Sequence, residues 1–216
     1  MSSIDEKVVF RMAQLNEVPK IMKFIRDYWP KKNHILGINE DFFRYEFCNG
    51  NRVGFFLALD KYSEEILCCI GTYFYSENHI PEKTDCSGGM FIVKPDCNIP
   101  FLGGETAIRR MQVLKPRAYV SPGIDIHTTG KLVTRVLKDK IAKMDHFYML
   151  NDLFEYRIAQ INKKKTGKIQ KDNALDLILY NTVEEMYSQF DDSPFRERRP
   201  YKDKWYIDKR YFRHPV

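Results

Sequence analysis

The chain has no uninterrupted apolar run approaching the roughly 18 residues that a membrane-spanning helix needs. Its first residues lack a cationic stretch followed by an apolar run, so no secretory signal is visible there. The five cysteines have no metal-like spacing, and adjacent Cys68 and Cys69 lie in an apolar run that is typical of reduced core thiols. We therefore expect a soluble, cytoplasmic protein without a metal site.

Signatures of several common enzyme classes are also missing from the sequence. Thr166-Gly167-Lys168 lacks the upstream glycine of a nucleotide-binding P-loop. There is no GxSxG sequence of the kind that carries a hydrolase serine, and no Cys/His set has zinc spacing. The function therefore has to be inferred from the order of secondary-structure elements and from single stretches of sequence.

Composition favours a folded domain with an uneven charge. Apolar residues make up 44% of the 216 residues and aromatic residues 14%, enough for a substantial core. Residues 1–108 hold 12 Lys/Arg and 15 Asp/Glu, whereas residues 109–216 hold 23 and 14. Such an asymmetry indicates either an anionic partner or a solvated basic surface, and the composition alone does not choose between them.

Hydrophobic periodicity predicts one layered α/β sheet over residues 1–152, with the element order β-α-α-β-β-β-α-β-α-β. A polar turn at 61–65 joins two apolar runs into a central antiparallel hairpin. The predicted strands cover residues 7–14, 53–60, 66–76, 89–94, 118–124 and 146–150, and the predicted helices cover 16–29, 40–48, 103–114 and 130–144.

Residues 153–216 are predicted to form a basic, aromatic-rich C-terminal extension or the start of a truncated second domain. This part includes an expected strand at 153–162 and a short helix at 183–190. From Pro194 onward, in the segment here called the tail, Arg and Lys alternate with aromatic residues, a pattern that single-stranded nucleic-acid surfaces use. Because Glu197 and Asp203 dilute the basic charge, we favour a segment whose rings pack on the domain, which makes nucleic acid an unlikely partner.

The stretch from Val93 to Met111 is the most informative for chemistry. A predicted strand ends here, a loop crosses, and Gly103-Gly104 open a helix whose first amides are free to meet a ligand. Together with the helix dipole, this arrangement suits a pyrophosphate, although two glycines before a helix also occur in simple tight turns.

Together with the element order, this stretch resembles the GNAT superfamily of acyl-CoA N-acyltransferases. That family binds the CoA pyrophosphate in the loop after its fourth strand, with the pattern Gln/Arg, two residues, Gly, one residue, Gly/Ala. Here Gly103 takes the first glycine position, whereas Pro100 and Glu105 depart from the pattern. Several segments further resemble GNAT-like proteins of bacterial surface-polysaccharide biosynthesis, among them Tyr28-Trp29, Asn33-His34-Ile35-Leu36, Phe42-Phe43-Arg44-Tyr45 and His146-Phe147-Tyr148-Met149-Leu150-Asn151.

The resemblance implies a mixed, mostly antiparallel sheet flanked by helices, and acyl transfer from acetyl-CoA or another acyl-CoA to an amino sugar or sugar nucleotide. The backbone of Phe91, Ile92 and Val93 would pair with the pantetheine, and the amides near Leu102, Gly103, Gly104 and Glu105 would hold the phosphates. The alternatives are a non-catalytic binding or interaction module of the same pathway, and a nucleic-acid binder that uses the basic tail.

Candidate catalytic residues follow the predicted third and fifth strands of this arrangement, and a base among them would take the proton of the acceptor amine. The candidates are Glu77, His79, Asp125 and His127, each of which is otherwise a polar loop residue. Trp29 and His34 are the predicted acceptor contacts, with a helix cap as the other role of His34. Related acyltransferases often place a tyrosine proton donor in the helix where Thr134 stands here.

Overall fold

A computed structural model describes residues 4–124, 127, 129–144 and 178–215. Its main sheet has five strands in the order β1-β4-β5-β6-β7, and β2 and β3 form a separate hairpin. All neighbours in the main sheet are antiparallel except β6 and β7, which are parallel. This confirms the predicted mixed, mostly antiparallel sheet. The strands are β1 Val8–Met12, β2 Cys48–Asn49, β3 Arg52–Val53, β4 Phe55–Asp60, β5 Ile66–Phe74, β6 Cys86–Val93 and β7 Tyr119–Val120.

Helices cover both faces of this sheet. Side chains alternate between the two faces along each strand, and apolar side chains on each face pack against helices. Leu57 and Cys69 face a core shared with α1 and α3, whereas Ala58 and Cys68 face a core shared with α4. The five cysteines are free, and burial raises the pKa of Cys68 to about 12. The helices are α1 Val18–Tyr28, α2 Ile35–Ile38, α3 Glu40–Phe47, α4 Leu102–Leu114, α5 Thr129–Arg135, α6 Val183–Gln189 and α7 Lys204–Ile207.

Several elements differ from the sequence prediction, among them β6, which begins at Cys86 where a strand from residue 89 was expected. Strand β7 covers two residues, where a strand over 118–124 was expected, because it leaves β6 after its second residue. Helix α5 ends at Arg135, where a helix to 144 was expected, and the short α2 was not predicted. In α2, the backbone of Gly37 packs closely against that of Arg26, and a Cβ there would lie 3.2 Å from the Arg26 amide nitrogen.

The chain beyond α5 is described only in part. The strand predicted at 146–150, the strand predicted at 153–162 and the boundary between residues 152 and 153 lie outside the described residues. The helix predicted at 183–190 is confirmed as α6. Within the described ranges, no helix is long and apolar enough to cross a membrane.

Candidate functional site

The sheet opens between its two parallel strands. β6 pairs with β7 only through Cys86–Tyr119 and Ser87–Val120, although β6 continues to Val93. A cavity of about 500 Å³, here called the inter-strand cavity, fills the opening. Its walls come from the end of α1, from β6 and β7, and from α4 and α5. The edge of β6 beyond Ser87 therefore carries main-chain groups that have no partner on β7.

The residues predicted to bind the pantetheine line this cavity, whereas those predicted to hold the phosphates lie next to it at the start of α4 and do not line it. Phe91, Ile92 and Val93 line it, and α4 begins beside them. A Cβ added to Gly103 would lie 3.0 Å from Phe91 Cζ and 3.0 Å from Val93 Cγ2. A side chain at position 103 would therefore crowd the open edge of β6, which is a physical reason for glycine there.

The N-terminus of α4 is shaped by Phe101, whose backbone is in the left-handed region with φ 60°. Its ring packs against Gly104, where an added Cβ would lie 2.1 Å from Phe101 Cζ. Leu102 is buried, and Glu105 forms an ion pair with Arg109 at 2.7 Å. Among the described residues, no group accepts a hydrogen bond from the amides of Gly103 and Gly104.

Arg110 also lines the inter-strand cavity, and the sequence analysis missed it. Its side chain is buried, with 2% of the residue exposed. One terminal nitrogen lies 3.3 Å from the Gly71 carbonyl and 3.4 Å from Thr72 Oγ1, and the guanidinium lies 4.8 Å from the centroid of the Tyr119 ring. Its Nε is buried without a hydrogen-bond partner. On the same helix, Ile108 and Met111 are only half-buried.

A second cavity, here called the aromatic cavity, has a volume of about 430 Å³ and lies between α3, the end of β5 and the tail. Pro122 lines both cavities. The described residues around the aromatic cavity include four cations and a single carboxylate, that of Glu46. The aromatic and charged side chains in its wall are Phe42, Tyr45, Phe47, Tyr73, Phe74, Tyr75, Trp205, Tyr206, Arg52, Lys202, Lys209 and Arg210.

Three of the four cations in the aromatic cavity belong to the tail. Arg210 forms an ion pair with Glu46 at 2.7 Å, and Lys209 Nζ lies 5.3 Å from the Tyr45 ring and 5.1 Å from the Trp205 ring. Burial lowers the pKa of Lys209, with the Glu46 carboxylate acting in the opposite direction. Burial also raises the pKa of Tyr73 to about 12, so this phenol is neutral at pH 7.

The tail packs on the domain, in line with the reading that the sequence favoured. The Tyr45 hydroxyl donates to the Lys209 carbonyl, and the Asp203 amide donates to the Tyr75 carbonyl at 3.1 Å. Several tail cations have carboxylate partners in the described chain: Arg196 with Asp192, Lys204 with Glu184, and Arg213 with Asp208. These contacts leave fewer rings and cations for stacking with a nucleic acid.

Three of the predicted catalytic residues, Glu77, His79 and His127, line neither cavity. Glu77 is exposed, and its carbonyl accepts hydrogen bonds from Asn49 and Arg52. Both ring nitrogens of His79 are engaged, Nε2 at 2.6 Å from the Leu114 carbonyl and Nδ1 at 2.8 Å from a threonine hydroxyl. Burial lowers the pKa of His79, so the ring is neutral at pH 7.

The two predicted acceptor contacts each line one cavity. Trp29 lines the inter-strand cavity and His34 the aromatic cavity, with their rings 5.6 Å apart. His34 Nδ1 accepts from the Leu36 amide at 3.2 Å, so this histidine also caps α2. Asp125 lies outside the described residues, and His127 is exposed.

Thr134, which stands where relatives often carry a tyrosine acid, is exposed on α5, and its hydroxyl donates to the Gly130 carbonyl at 2.9 Å. In the described ranges no cluster of three or more His, Cys, Asp or Glu could hold a metal ion.

Comparison with known proteins finds only remote likeness. No family model matches the chain, and no curated protein matches it. A solved structure from Pyrococcus horikoshii, provisionally named an acetyltransferase, is 15% identical over 60% of this chain, with a TM-score of 0.44. This chain spans 42% of that protein's length.

Two further structures are aminoglycoside acetyltransferases. One comes from an uncultured soil metagenome, in complex with sisomicin; it is 13% identical over 69% of this chain and 99% of its own, with a TM-score of 0.47. The other, AAC(6')-Iy, is in complex with a bisubstrate analogue of CoA. It is 13% identical over 67% of this chain and 98% of its own, with a TM-score of 0.48. At such scores these likenesses assign no function.

Proposed function

We propose that this protein transfers an acyl group from an acyl-CoA to the amine of an anionic, nucleotide-linked amino sugar. The observation that carries the proposal is the opening between β6 and β7, with a cavity of about 500 Å³ beside the unpaired edge of β6. From the resemblance of the sequence to bacterial GNAT-like proteins, we assign the reaction to cytoplasmic surface-polysaccharide biosynthesis.

The opening suits the pantetheine arm because that arm is an extended chain with amide groups. An extended ligand can add to an exposed strand edge, since the main-chain donors and acceptors there need partners. We assign this role to the edge of β6 over Phe91, Ile92 and Val93. The free amides of Gly103 and Gly104 then meet the pyrophosphate at the positive end of α4.

The aromatic cavity suits an anionic acceptor. Arg52, Lys202, Lys209 and Arg210 face one carboxylate, Glu46, and this excess of positive charge attracts phosphates and opposes a polycationic sugar. Its aromatic walls offer faces on which a nucleobase can stack. Because Pro122 lines both cavities, an acceptor amine in one can approach a thioester in the other.

The reaction is a direct displacement. The neutral amine attacks the thioester carbonyl, the C–N bond forms, the C–S bond breaks, and CoA leaves as a thiolate that takes a proton from solvent. We assign removal of the amine proton to Glu46, the one carboxylate among the described residues of the aromatic cavity. In this proposal Glu46 acts as the base in place of Glu77 and His79. Asp125 and His127 stay predictions. Holding both reactants in place contributes up to about 7–11 kcal/mol to lowering the barrier.

A second candidate is a module that binds acyl-CoA without turning it over. It is favoured by Thr134, because a hydroxyl bonded to Gly130 is poorly placed to protonate a departing thiolate. Both candidates require CoA binding, and only the first releases free thiol.

The two are separated by two measurements on the full chain. CoA and acetyl-CoA should each raise the melting temperature in both cases. Release of free CoA thiol from acetyl-CoA in the presence of UDP-linked amino sugars supports the enzyme, and binding without release supports the module. If CoA has no effect while a single-stranded oligonucleotide binds with strong salt dependence, the proposal is wrong.

A further inference from the structure

We propose that the closed end of the inter-strand cavity binds a carboxylate on the acyl group through Arg110, so that the donor is the CoA thioester of a dicarboxylic acid. This inference rests on the proposed function, because it concerns the group that the CoA carries. The proposed path of the pantetheine does not determine which acyl group is bound, so the identity of the acyl group has to come from the side chains at the closed end of the cavity.

The first observation is the state of the Arg110 guanidinium. Two half-buried arginines have carboxylate partners, Arg11 with Glu17 at 2.7 Å and Arg117 with Asp85 at 2.8 Å. Arg110 is more deeply buried, and among the described residues no carboxylate lies within ion-pair distance of it. Its Nε has no partner, and its contacts to the Gly71 carbonyl and to Thr72 Oγ1 are long, at 3.3 and 3.4 Å. A buried charge without a counter-ion is costly, so an anionic ligand has a large effect there.

The second observation is where the guanidinium lies. Thr72, which it contacts, pairs with Gly88 on β6, one residue past the last pair between β6 and β7. The Tyr119 ring, which the guanidinium contacts, belongs to the other of the two pairs, Cys86–Tyr119. Arg110 therefore stands at the point where the two strands separate. A pantetheine that enters beside Val93 and runs along β6 has its thioester end directed toward this point.

The third observation is the chemistry of the cavity wall. Among the described residues that line it, Arg110 is the only one with a formal charge, and much of the remaining wall is apolar: Ile70, Phe91, Ile92, Ala107, Val133 and Leu137. Asp139, after α5, influences Arg110 electrostatically but forms no ion pair with it in the described chain. The only hydrogen-bond acceptor of an acetyl group is its carbonyl oxygen, whereas a terminal carboxylate accepts two charge-assisted hydrogen bonds from a guanidinium.

A matched pair of donors tests the inference. Succinyl-CoA and butyryl-CoA have acyl chains of equal carbon number and differ by the terminal carboxylate. We expect calorimetry on the full chain to give at least about tenfold tighter binding of succinyl-CoA, the effect expected of a charge-assisted pair. Arg110→Met should remove this preference while keeping the affinity for butyryl-CoA, and Arg110→Lys should restore part of it.

Arg109→Met is the matched control, because Arg109 is the neighbouring arginine of α4 and pairs instead with Asp5 and Glu105 on the outer surface. It should leave the ratio of the two affinities unchanged. Equal binding of both donors by the wild-type chain overturns the inference and leaves the proposed function standing. Absence of binding by both donors and by CoA overturns the proposed function itself. If Arg110→Met does not fold, the wild-type comparison still decides the point.

Discussion

The guanidinium of Arg117 donates two hydrogen bonds to Asp85, from Nε to Oδ1 at 3.0 Å and from a terminal nitrogen to Oδ2 at 2.8 Å. The same carboxylate accepts from the amides of Ala118, at 3.0 Å, and Tyr201, at 2.7 Å. Since Asp85 directly precedes β6 and Ala118 precedes β7, this buried side chain joins the two strands at the closed end of the opening and attaches the tail to them.

Asp85→Asn should lower the free energy of unfolding by about 3 kcal/mol at pH 7, because it removes the charge that pairs with a partly buried guanidinium. Burial raises the pKa of Asp85, but hydrogen bonds from Arg117, Tyr201 and Ala118 together leave it below the ordinary value. The stabilisation is therefore present above pH 4 and lost as the pH falls further.

Urea denaturation at pH 7 and pH 3 measures both effects. The exposed Asp96→Asn is the control and should change the unfolding free energy by less than about 0.5 kcal/mol. An Asp85→Asn protein as stable as the wild type at pH 7 would contradict the anchoring role of this carboxylate.

Gly103→Glu should abolish the rise in melting temperature that CoA produces. A side chain at this position meets Phe91 and Val93 at 3.0 Å, and its carboxylate repels phosphates at the N-terminus of α4. Gly103→Ala adds the crowding without the charge, and should keep part of the CoA effect. Differential scanning fluorimetry compares the two, and full stabilisation of Gly103→Glu by CoA would show that the phosphates bind elsewhere.

Lys209→Met should weaken binding of a UDP-linked amino sugar by about tenfold and reduce its salt dependence, because it removes a half-buried cation from the wall of the aromatic cavity. CoA affinity should not change, since Lys209 does not line the inter-strand cavity. Calorimetry with each ligand separates the two effects. The exposed Lys20→Met serves as a control for loss of one positive charge, and an equal loss in both variants would argue against the assignment.

His79→Gln should make the protein less sensitive to mild acid. Burial lowers the pKa of His79 in the folded state, whereas in the unfolded chain histidine titrates near pH 6.5. The unfolded chain therefore binds more protons, and stability falls as the pH drops below about 6.5. Unfolding free energies at pH 7.5 and pH 5 should differ less in the variant than in the wild type. Equal differences would mean that the ring is not held neutral by the fold.

Much of the order of elements along the chain could be predicted from the sequence, because the strands are local apolar runs with clear turns. The central hairpin of β4 and β5 follows from two such runs and a five-residue polar turn. The length of β7 could not be predicted in the same way, because the same apolar sequence is compatible with a strand that stays paired to β6 and with one that turns away from it. The opening between β6 and β7 could therefore not be derived from hydrophobic periodicity.

The inner wall of the site was beyond sequence reasoning for a different reason. Arginine is usually exposed, so nothing in the sequence marked Arg110 as a buried residue of α4. Glu46 and Lys209 come together across more than 160 positions, through a docking that no local pattern encodes. His79 was predicted to be catalytic because it is a titratable residue in a loop, but both nitrogens of its ring form hydrogen bonds with neighbouring groups.

The walls of the two cavities come from different stretches of polypeptide: the inter-strand cavity from residues 28 to 137, and one side of the aromatic cavity from residues 202 to 210. Under the proposed function, a different segment at residues 202–210 would change the acceptor site and leave the donor site in the inter-strand cavity unchanged. Specificity for the acceptor and specificity for the acyl group would then change separately, the first through this segment and the second through side chains such as that of Arg110 on α4.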